Sequence, residues 1–594
     1  MPDFNAPVKD MRFVIDALCD ADYIRQLGGF EEFTPDLTEA VLDEAARLAG
    51  EILEPLNRVG DQQGASLNGH QVTTAPGWPD AYAQFCEAGW PSLSAPVEYG
   101  GQGMPKLLGA AVNEIWKAAN HAFSLCPMLT QGAIEAVELY ASDHLKTQYI
   151  EKMVSGQWAG TMNLTEPQAG SDLAAVRTRA EPAGDHYLIK GQKIYITYGE
   201  HDLTENIVHM VLARTPDAPE GVKGISMFLV PKFLLDDAGN PGTRNDVQCV
   251  SIEHKLGIHG SPTCVMAYGE NDNCVGYLVG EENQGLVYMF AMMNAARHGV
   301  GLEGVAVCER SYQRAVAYAR DRVQGAVAGG GQGRQPIIGH PDVRRMLMQM
   351  RAIAESTRAV AYFCAGQFDI ADKEPDSERG RQARALGDFL TPVVKGWSTE
   401  LGQEVASIGV QVHGGMGYIE ETGAAQHFRD ARITTIYEGT TGIQANDLVG
   451  RKTLRDGGET ARAMIGALNA TAEALSSNND DRLLPMGQAL HRAALAAEHA
   501  LAWLLEDAAS DPQLPGSASY NYLMMWGYAL GGWIMGRAAL ACTGEEGDWD
   551  AEFRAAKIGT CRFYFSQLLP RALAHQEAMT HGSDAVFALA AEAL

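Results

Sequence analysis

The chain has 594 residues, of which 46% are hydrophobic and 20% charged, a composition typical of a globular protein with a large core. Its net charge of −28 argues against a nucleic-acid partner, whose phosphates bind a basic face. The ten cysteines are scattered without a CxxC pair, so we expect reduced, buried thiols in a cytoplasmic protein and no metal site.

The first 160 residues are predicted to be mostly helical. Apolar residues recur at helical spacing over 38–57, where Pro55 should end or kink the helix. The other helical patterns of this part cover residues 78–88, 106–122 and 131–140. We therefore predict an N-terminal extension over 1–34 and a helical domain over 35–160.

Short segments rich in β-forming residues, separated by turn residues, follow in the next part of the chain. They cover residues 187–190, 193–197, 207–212, 225–230 and 263–267. This pattern is typical of a sheet or small barrel, and it predicts a middle β domain over 161–285.

Helical patterns return at residue 286. They cover residues 286–322, 343–371 and 378–407, and a glycine-rich loop is predicted over 326–333. Helices of this length favour a bundle over 286–452. Four more helical patterns cover residues 461–475, 485–509, 519–542 and 549–574. They predict an additional helical domain over 453–594, in a fold that is mainly α with a β-barrel middle domain.

No membrane insertion is expected from these patterns. The N-terminus lacks the basic and long apolar segments of a signal peptide, and the most apolar late run, 522–534, is too short to span a membrane. The last domain also carries acidic residues in place of a basic amphipathic face, namely Glu545, Glu546, Asp548 and Asp550.

One carboxylate has a setting that suits a catalytic base. Glu438 precedes a glycine in the motif YEGT at 437–440, soon after the glycine-rich motif QVHGGMG at 411–417. A pocket that buries such a carboxylate raises its pKa towards neutrality, where it can accept a proton from carbon. Without its context, the same residue would be interpreted as a glutamate in a surface turn.

Four motifs in the right order resemble those of the acyl-CoA dehydrogenase family, and the resemblance covers residues 35–452. The motifs are MNLTEPQAGSD at 162–172, GQKIYIT at 191–197, QVHGGMG at 411–417 and YEGT at 437–440. The resemblance implies a helical domain, a β domain and a four-helix bundle. With its extra C-terminal domain, the chain most resembles one subgroup, the bacterial 3-(methylthio)propanoyl-CoA dehydrogenases of dimethylsulfoniopropionate catabolism.

The resemblance implies an FAD-dependent enzyme that removes the α-proton of an acyl-CoA thioester. The β-hydrogen passes to the flavin as hydride, and the product is a trans-2-enoyl-CoA; the subgroup implies 3-(methylthio)propanoyl-CoA as the substrate and 3-(methylthio)acryloyl-CoA as the product. Glu438 is the implied base. The family's alternative place for a base, immediately before Arg297, holds Ala296, which carries no carboxylate.

The same motifs imply the residues that bind the cofactor and the substrate. Those implied for FAD are Met162, Leu164, Thr165, Gly170, Ser171, Tyr195, Ile196, Thr197, Arg322, Gln411, Gly414, Gly415, Thr440 and Gly442, with His340 as a further contact. Those implied for the substrate are Ser171, Asn294, Arg297 and Gly439.

The resemblance also implies partners. Arg322 and the glycines of the 411–417 motif would reach the FAD of a neighbouring subunit, which implies a homo-oligomer. The additional C-terminal domain favours a homodimer. An electron-transfer flavoprotein would accept the electrons.

Three alternatives remain open on the sequence. The chain could be a fatty acyl-CoA dehydrogenase of β-oxidation that acts on short, medium or long acyl chains. It could be an acyl-CoA oxidase, which transfers electrons to oxygen and releases peroxide. It could also be a non-catalytic protein that binds flavin for assembly or interaction, although the retained Glu438, Arg297 and Gly439 argue against this.

Overall fold

The computed structural model describes residues 4–329, 333–544, 547 and 549–594. Residues 330–332 of the predicted glycine-rich loop and the acidic residues Glu545, Glu546 and Asp548 therefore lie outside the described residues. The chain divides into two compact units. The first unit contains Glu44–Met104 and Ala119–Ala296, and the second contains Phe4–Asp43, Pro105–Ala118 and Arg297–Leu594.

The α-helices dominate the chain. Those before residue 160 are α1 (Val8–Leu18), α2 (Ala21–Ile24), α3 (Pro35–Leu48), α4 (Glu54–Gln63), α5 (Trp78–Glu87), α6 (Lys106–Ala119), α7 (His121–Tyr140) and α8 (Asp143–Val154). Those after the strands are α9 (Gly285–Asp321), α10 (Pro341–Lys373), α11 (Glu378–His413), α12 (Ala424–Ala431), α13 (Thr441–Val449), α14 (Glu459–Ser476), α15 (Leu484–Asp507), α16 (Leu514–Thr543), α17 (Ala551–Phe563), α18 (Pro570–Met579) and α19 (Gly582–Val586).

Two helix ends differ from the prediction for local reasons. Pro55 lies in the first turn of α4, so of the predicted end or kink at this residue, the end is wrong. A π-helical turn, Ala49–Leu53, precedes it. The single helix predicted over 106–122 is two helices, because the Asn120 side chain accepts a hydrogen bond from the Phe123 N–H and starts α7. Helix α7 therefore begins ten residues before the predicted start at residue 131.

The strands form one large sheet and two small ones. They are β1 (Ser66–Asn68), β2 (Gln71–Thr73), β3 (Trp158–Asn163), β4 (Arg179–Ala183), β5 (His186–Thr197), β6 (Asn206–Ala213), β7 (Ser226–Pro231), β8 (Phe233–Leu235), β9 (Pro241–Arg244), β10 (Val247–Ile252), β11 (Thr263–Tyr268) and β12 (Val275–Leu278). The large sheet has eight strands in the order β10-β11-β5-β12-β7-β6-β3, with β4 paired to β5. Strands β3 and β6 are parallel and the other pairs are antiparallel.

Strand β5 joins the two strands predicted at 187–190 and 193–197. Its first half pairs with β4 and β12, and its second half pairs with β11. The strands pack over a core that includes Val211, Phe228, Cys264 and Met266. The middle of the chain is therefore a β-sheet domain between helical segments, as the sequence predicted.

The second unit is a helical bundle in which α11 packs against α10, α13 and α16. Trp397 of α11 is fully buried, and a Cβ atom added to Gly527 of α16 would lie 2.2 Å from the Trp397 ring. The glycines of the apolar run 522–534 thus allow close helix packing. Within the described part of the chain, no helix is long and apolar enough to cross a membrane.

The single helix predicted over 549–574 is also divided. A π-helical turn, Tyr564–Leu568, separates α17 from α18. The Asp550 side chain, one of the acidic residues noted in the sequence, accepts a hydrogen bond from the Phe553 N–H and starts α17. All ten cysteines are free thiols and all except Cys86 are buried, in agreement with the prediction.

Candidate active site

Glu438 lies in a sharp turn that its backbone conformation makes strained. Its φ of 55° is in the left-handed region, which is unusual for a residue other than glycine, and Gly439 follows with a φ of 86°. The Gln444 side-chain amide donates hydrogen bonds to the carbonyl oxygens of Glu438 and Gly439, at 3.1 and 3.3 Å. A Cβ atom added to Gly439 would lie 2.7 Å from that amide nitrogen, so this position requires glycine.

The residues around this turn are anchored to two long helices of the same unit. The Tyr437 hydroxyl donates a short hydrogen bond to Glu303 of α9. The Thr441 hydroxyl donates to Glu400 of α11 at 2.6 Å. These two contacts fix the chain immediately before Glu438 and shortly after it, and a fixed backbone preserves the strained conformation.

The environment of Glu438 shifts its titration. The pKa of this carboxyl is raised to about 7, mainly by burial. The positive charges of Arg297 and Lys395 lower the pKa, and the negative charge of Glu303 raises it. A pKa close to neutrality suits a general base. The direction agrees with the sequence prediction.

Arg297 is held in place beside Glu438 by a second carboxylate. It is buried, and its guanidinium donates to Asp447 of α13 at 3.2 Å. Arg451 also lies 3.4 Å from Asp447. Ala296, at the alternative position for a base, is buried. The structure thus brings together Glu438, Arg297 and Gly439 among the residues predicted from the sequence.

The first predicted flavin segment is shaped by a buried ion pair in the first unit. Lys193 of β5 donates to Glu166 at 2.8 Å and to the carbonyl oxygen of Leu164 at 3.0 Å. Glu166 also accepts hydrogen bonds from the Thr178 hydroxyl and from the N–H groups of Arg177 and Thr178. Burial opposes ionisation of Glu166, but Lys193 and these donors lower its pKa to about 2.

Tyr195 stands out of β5 at an irregular point in its pairing with β11. The register shifts there, and Tyr195 has a φ of 59° with 61% of its surface exposed. The neighbouring Ile194 N–H donates to the carbonyl oxygen of Thr165 at 2.9 Å. Thr165 and Tyr195, from two separate motifs, are thus close together, and an exposed aromatic ring is available to a flat ligand.

The other candidates in the first unit are less distinctive. Met162 and Ile196 are buried, whereas Gly170 and Ser171 are exposed in a loop. The carbonyl oxygen of Thr197 accepts a hydrogen bond from the Thr161 hydroxyl at 2.7 Å, which joins β3 to β5. Asn294 is half-buried on α9.

In the second unit, the motif at 411–417 covers the last residues of α11 and the 3-10 helix Gly414–Tyr418 that follows. Gly414 has a φ of 61°, and a Cβ atom added to Gly414 or Gly415 would meet nothing within 4 Å. His413 stacks on Tyr318 with ring centroids 4.4 Å apart, which fixes this end of the helix. Gln411 is exposed on the last turn.

The remaining candidates of the second unit have visible structural roles or lie at the surface. The Thr440 side chain accepts a hydrogen bond from the Ile443 N–H and caps α13, while Gly442 is exposed in its first turn. Arg322 is exposed just after α9. His340 contacts the carbonyl oxygen of Gln324 at 2.8 Å.

Several charged residues that contact or act on the candidate residues within each unit were not among the site residues predicted from the sequence. They are Glu166, Lys193, Glu303, Lys395, Glu400 and Asp447. Lys395 follows two valines and precedes Gly-Trp. An ionisable residue in such an apolar helical run could have indicated a buried charge. Its proximity to Glu438 depends on long-range packing that no local pattern shows.

Comparisons with known proteins agree with this architecture. Family models match the acyl-CoA dehydrogenase N-terminal domain at 37–157, the middle domain at 161–270 and the C-terminal domain at 283–452. A fourth model, described as acetyl-CoA dehydrogenase C-terminal like, matches 463–590.

Individual relatives cover nearly the whole chain. A 3-methylmercaptopropionyl-CoA dehydrogenase of Ruegeria pomeroyi is 50% identical over 98% of this chain and 99% of its own. A butyryl-CoA dehydrogenase of Syntrophomonas wolfei is 32% identical over 96% of each chain. A crystal structure of an acyl-CoA dehydrogenase from Bacillus anthracis complexed with FAD shares the fold with a TM-score of 0.72, at 21% identity over 96% of this chain and 91% of that one.

The chain therefore belongs to the acyl-CoA dehydrogenase family, and it is an FAD-dependent oxidoreductase that acts on acyl-CoA thioesters. Two structural features fit a flavin dinucleotide. The ring of Tyr195 is exposed, and the backbone at Gly414 and Gly415 has open space around it.

Proposed function

We propose that the chain oxidises 3-(methylthio)propanoyl-CoA to 3-(methylthio)acryloyl-CoA, with Glu438 as the base. The observation that carries the assignment of the base is the position of Glu438 in a strained, anchored turn where its pKa is raised to about 7. The substrate is supported by the 50% identity with the 3-methylmercaptopropionyl-CoA dehydrogenase of Ruegeria pomeroyi over nearly the whole of both chains.

In the proposed reaction, the Glu438 carboxylate takes a proton from Cα of the thioester, and a double bond forms between Cα and Cβ. The hydrogen on Cβ leaves with both bonding electrons, and FAD, when bound, supplies the acceptor for this hydride. The backbone N–H of Glu438 donates to the thioester oxygen and stabilises the charge that develops there. The neighbouring Arg297 favours the ionised form of the base.

The residues that would hold FAD come from the sequence motifs. Thr165 and Tyr195 would contact the flavin ring, and Gln411, Gly414 and Gly415 of a second copy would contact the adenosine diphosphate portion.

A homodimer is supported by exposed apolar side chains in and after the 411–417 motif, namely Met416, Tyr418, Ile419 and Phe428. We further propose an electron-transfer flavoprotein as the acceptor, and a cytoplasmic location consistent with ten free cysteines.

The test of the base is the variant Glu438→Gln, which removes the proton acceptor and keeps the size of the side chain. We expect it to retain FAD, measured by visible absorbance, and to reduce that FAD at least about 100-fold more slowly with substrate. The matched control is Glu459→Gln at the exposed first turn of α14, which should behave as the parent. Parental activity of Glu438→Gln would contradict the assignment.

The test of the substrate is a turnover series with an artificial acceptor. The series contains 3-(methylthio)propanoyl-, butyryl-, octanoyl- and palmitoyl-CoA, and we expect the highest kcat/KM with the first. A short-chain fatty acyl-CoA is the second candidate, favoured by the 32% identity with a butyryl-CoA dehydrogenase. A preference for butyryl-CoA would select it, and rapid peroxide release in air would instead indicate an oxidase.

A further inference from the structure

Lys395 is a buried cation that the proposed reaction does not yet use. Its residue is 0% exposed on α11, and its ammonium has no hydrogen-bond partner among the described residues. An ammonium in such a place loses its hydration without a direct replacement, which is unfavourable for stability. A residue of this kind is a candidate for a functional role.

Helices α9 and α11 meet closely beside Lys395, because two glycines of α9 leave no side chain between them. A Cβ atom added to Gly301 of α9 would lie 2.4 Å from the Val394 side chain, and one added to Gly304 would lie 2.6 Å from the Ser398 backbone. Lys395 lies between Val394 and Ser398 on α11. Lys395 is thus buried on α11 next to residues that contact α9 directly.

The turn that carries Glu438 is anchored at the same crossing. Tyr437 is bound to Glu303, which directly precedes Gly304 on α9, and Thr441 is bound to Glu400 on α11. Both anchors are thus within about one and a half helical turns of the residues at this crossing. This places the carboxylate of Glu438 and the ammonium of Lys395 in one buried region.

The charges in this region interact across the crossing. Burial lowers the pKa of Lys395 to about 8, while Glu438, Glu303 and Glu400 favour its charged form and Arg297 opposes it. The lysine is therefore mostly charged at neutral pH. The other groups facing this region are Tyr437, which precedes the base, Asp447 and Arg451, which pair with each other, and Lys117 of α6, whose ammonium lies 3.8 Å from Glu303.

We propose that Lys395 is a positioning residue, whose buried charge keeps the Glu438 carboxylate ionised without forming a hydrogen bond that would occupy it. This proposal rests on the assignment of Glu438 as the base. A direct salt bridge would stabilise the carboxylate more strongly but would also reduce its ability to take a proton. A charge–charge interaction without a hydrogen bond keeps the Glu438 carboxylate ionised and still able to accept a proton. Arg297 also favours the ionised form of Glu438, but it is bound to Asp447, whereas the Lys395 ammonium has no hydrogen-bond partner among the described residues.

The experiment compares Lys395→Met with Lys395→Arg by anaerobic reduction of the bound FAD with 3-(methylthio)propanoyl-CoA as a function of pH. Removal of the positive charge raises the pH at which Glu438 ionises, so the acidic limb of the Lys395→Met profile should move up by about one pH unit. The rate near pH 7 should fall by up to about tenfold, and the rate at high pH should remain close to that of the parent. Lys395→Arg keeps the charge and should keep the parental limb.

A control variant and a direct readout separate the effect of charge from that of structure. Lys452→Met removes a lysine of the same unit that pairs with Asp388 at 3.1 Å, and it should not move the profile. If Lys395→Met does not fold or does not bind FAD, Lys395→Gln is measured in its place. A direct readout is the infrared band of the Glu438 carboxyl, identified as the difference from Glu438→Gln and titrated without substrate. The titration midpoint should rise in the variant that lacks the charge.

A profile of Lys395→Met that superimposes on that of the parent, or that is lowered equally at every pH, would overturn the proposal. If the assignment of Glu438 as the base is wrong, the result is different. In that case Glu438→Gln keeps parental FAD reduction, whatever the Lys395 variants do. If Glu438→Gln is inactive and Lys395→Met has the parental limb, only the role of Lys395 is wrong.

Discussion

Lys190 and Lys193 lie on the same strand, β5, and form ion pairs in opposite environments. Lys193 and its partner Glu166 are almost completely buried, whereas Lys190 and its partner Asp272 are largely exposed. Water and salt screen the exposed pair, but the buried carboxylate depends on its cation and its hydrogen-bond donors. The two lysines therefore allow the role of the buried pair in the first predicted flavin segment to be measured within one strand.

We predict that Lys193→Met destabilises the protein by about 3–5 kcal/mol, because it leaves the Glu166 carboxylate buried without its cation. It should also lower the FAD content, since the same lysine holds the Leu164 carbonyl. Lys190→Met should change neither property appreciably. Urea denaturation and FAD absorbance measure both effects, and equal behaviour of the two variants would contradict the prediction.

The pH dependence of this pair has a defined sign. The pKa of Glu166 is about 2 in the folded protein, below the value of about 4.3 for an unfolded glutamate, so its contribution to stability is present above pH 4.3 and is lost as pH falls towards 2. The stability difference between the parent and Lys193→Met should therefore shrink over the same range. A difference that stays constant down to pH 3 would indicate that lost packing, and not charge, is responsible.

At the scale of elements, glycines within helices have two different settings. Gly304 of α9 faces the backbone of α11, where a Cβ atom would lie 2.6 Å from Ser398. Gly466 of α14 has no atom within 4 Å of such a Cβ. The first glycine permits a close helix crossing, whereas the second only reduces helix propensity.

These settings predict opposite effects of the same substitution. Gly304→Ala should destabilise the protein by about 1–3 kcal/mol, because the two backbones must separate at the crossing beside Glu303. Gly466→Ala should stabilise it by up to about 1 kcal/mol through better helix propensity. Thermal or urea denaturation measures both. Stabilisation by Gly304→Ala would mean that the α9–α11 crossing is looser than the structure has it.

The sequence predicted the elements well where local residues determine them, and poorly where a single side chain or long-range packing does. Long apolar periodicity located α9 and α10 to within about two residues, because the apolar residues of a helix face recur at regular spacing in the local sequence. The break between α6 and α7 was missed because a single side chain, Asn120, decides it. The sequence pattern did not show the π-helical turn before Pro55, after which the helix continues as α4.

The candidate site shows the same limit. The motifs around Glu438 and Tyr195 could be recognised because their residues are contiguous, although their roles in catalysis and cofactor binding stay predictions. The partners Glu303 and Lys395 lie far away in sequence, and only the packing of α9 on α11 brings them near Glu438. Buried charges of this kind are not visible in composition or periodicity.

At the scale of the whole molecule, the predicted N-terminal extension contributes α1 to the second unit. Asp10 of α1 binds Lys557 of α17 and, at 2.8 Å, Arg358 of α10. Lys557 also donates to Glu355 at 2.6 Å. Burial opposes the ionised form of Asp10, but Lys557 and Arg358 lower its pKa overall. The first and last parts of the chain are thus joined through one buried ionic network.

A second ion pair joins the same two helices at the surface and provides the control. Lys9 of α1 pairs with Asp550 at the start of α17, and both side chains are about half exposed or more. Lys557, in contrast, is buried. Because the two pairs connect the same elements, a difference in the stability lost when each lysine is replaced can be attributed to burial.

We predict that Lys557→Met destabilises the second unit by about 3–5 kcal/mol, while Lys9→Met has little effect. The loss of Lys557 leaves Asp10 and Glu355 with one cation fewer, so protonation of Asp10 becomes more favourable in the folded protein. The deficit should therefore be largest at neutral pH and should decrease as pH falls below about 5, opposite to the acid sensitivity that the lowered pKa of Asp10 gives the parent. Urea denaturation from pH 4 to 8, with hydrogen exchange of α1 as a local probe, measures this; a deficit independent of pH would show that Lys557 acts through packing alone.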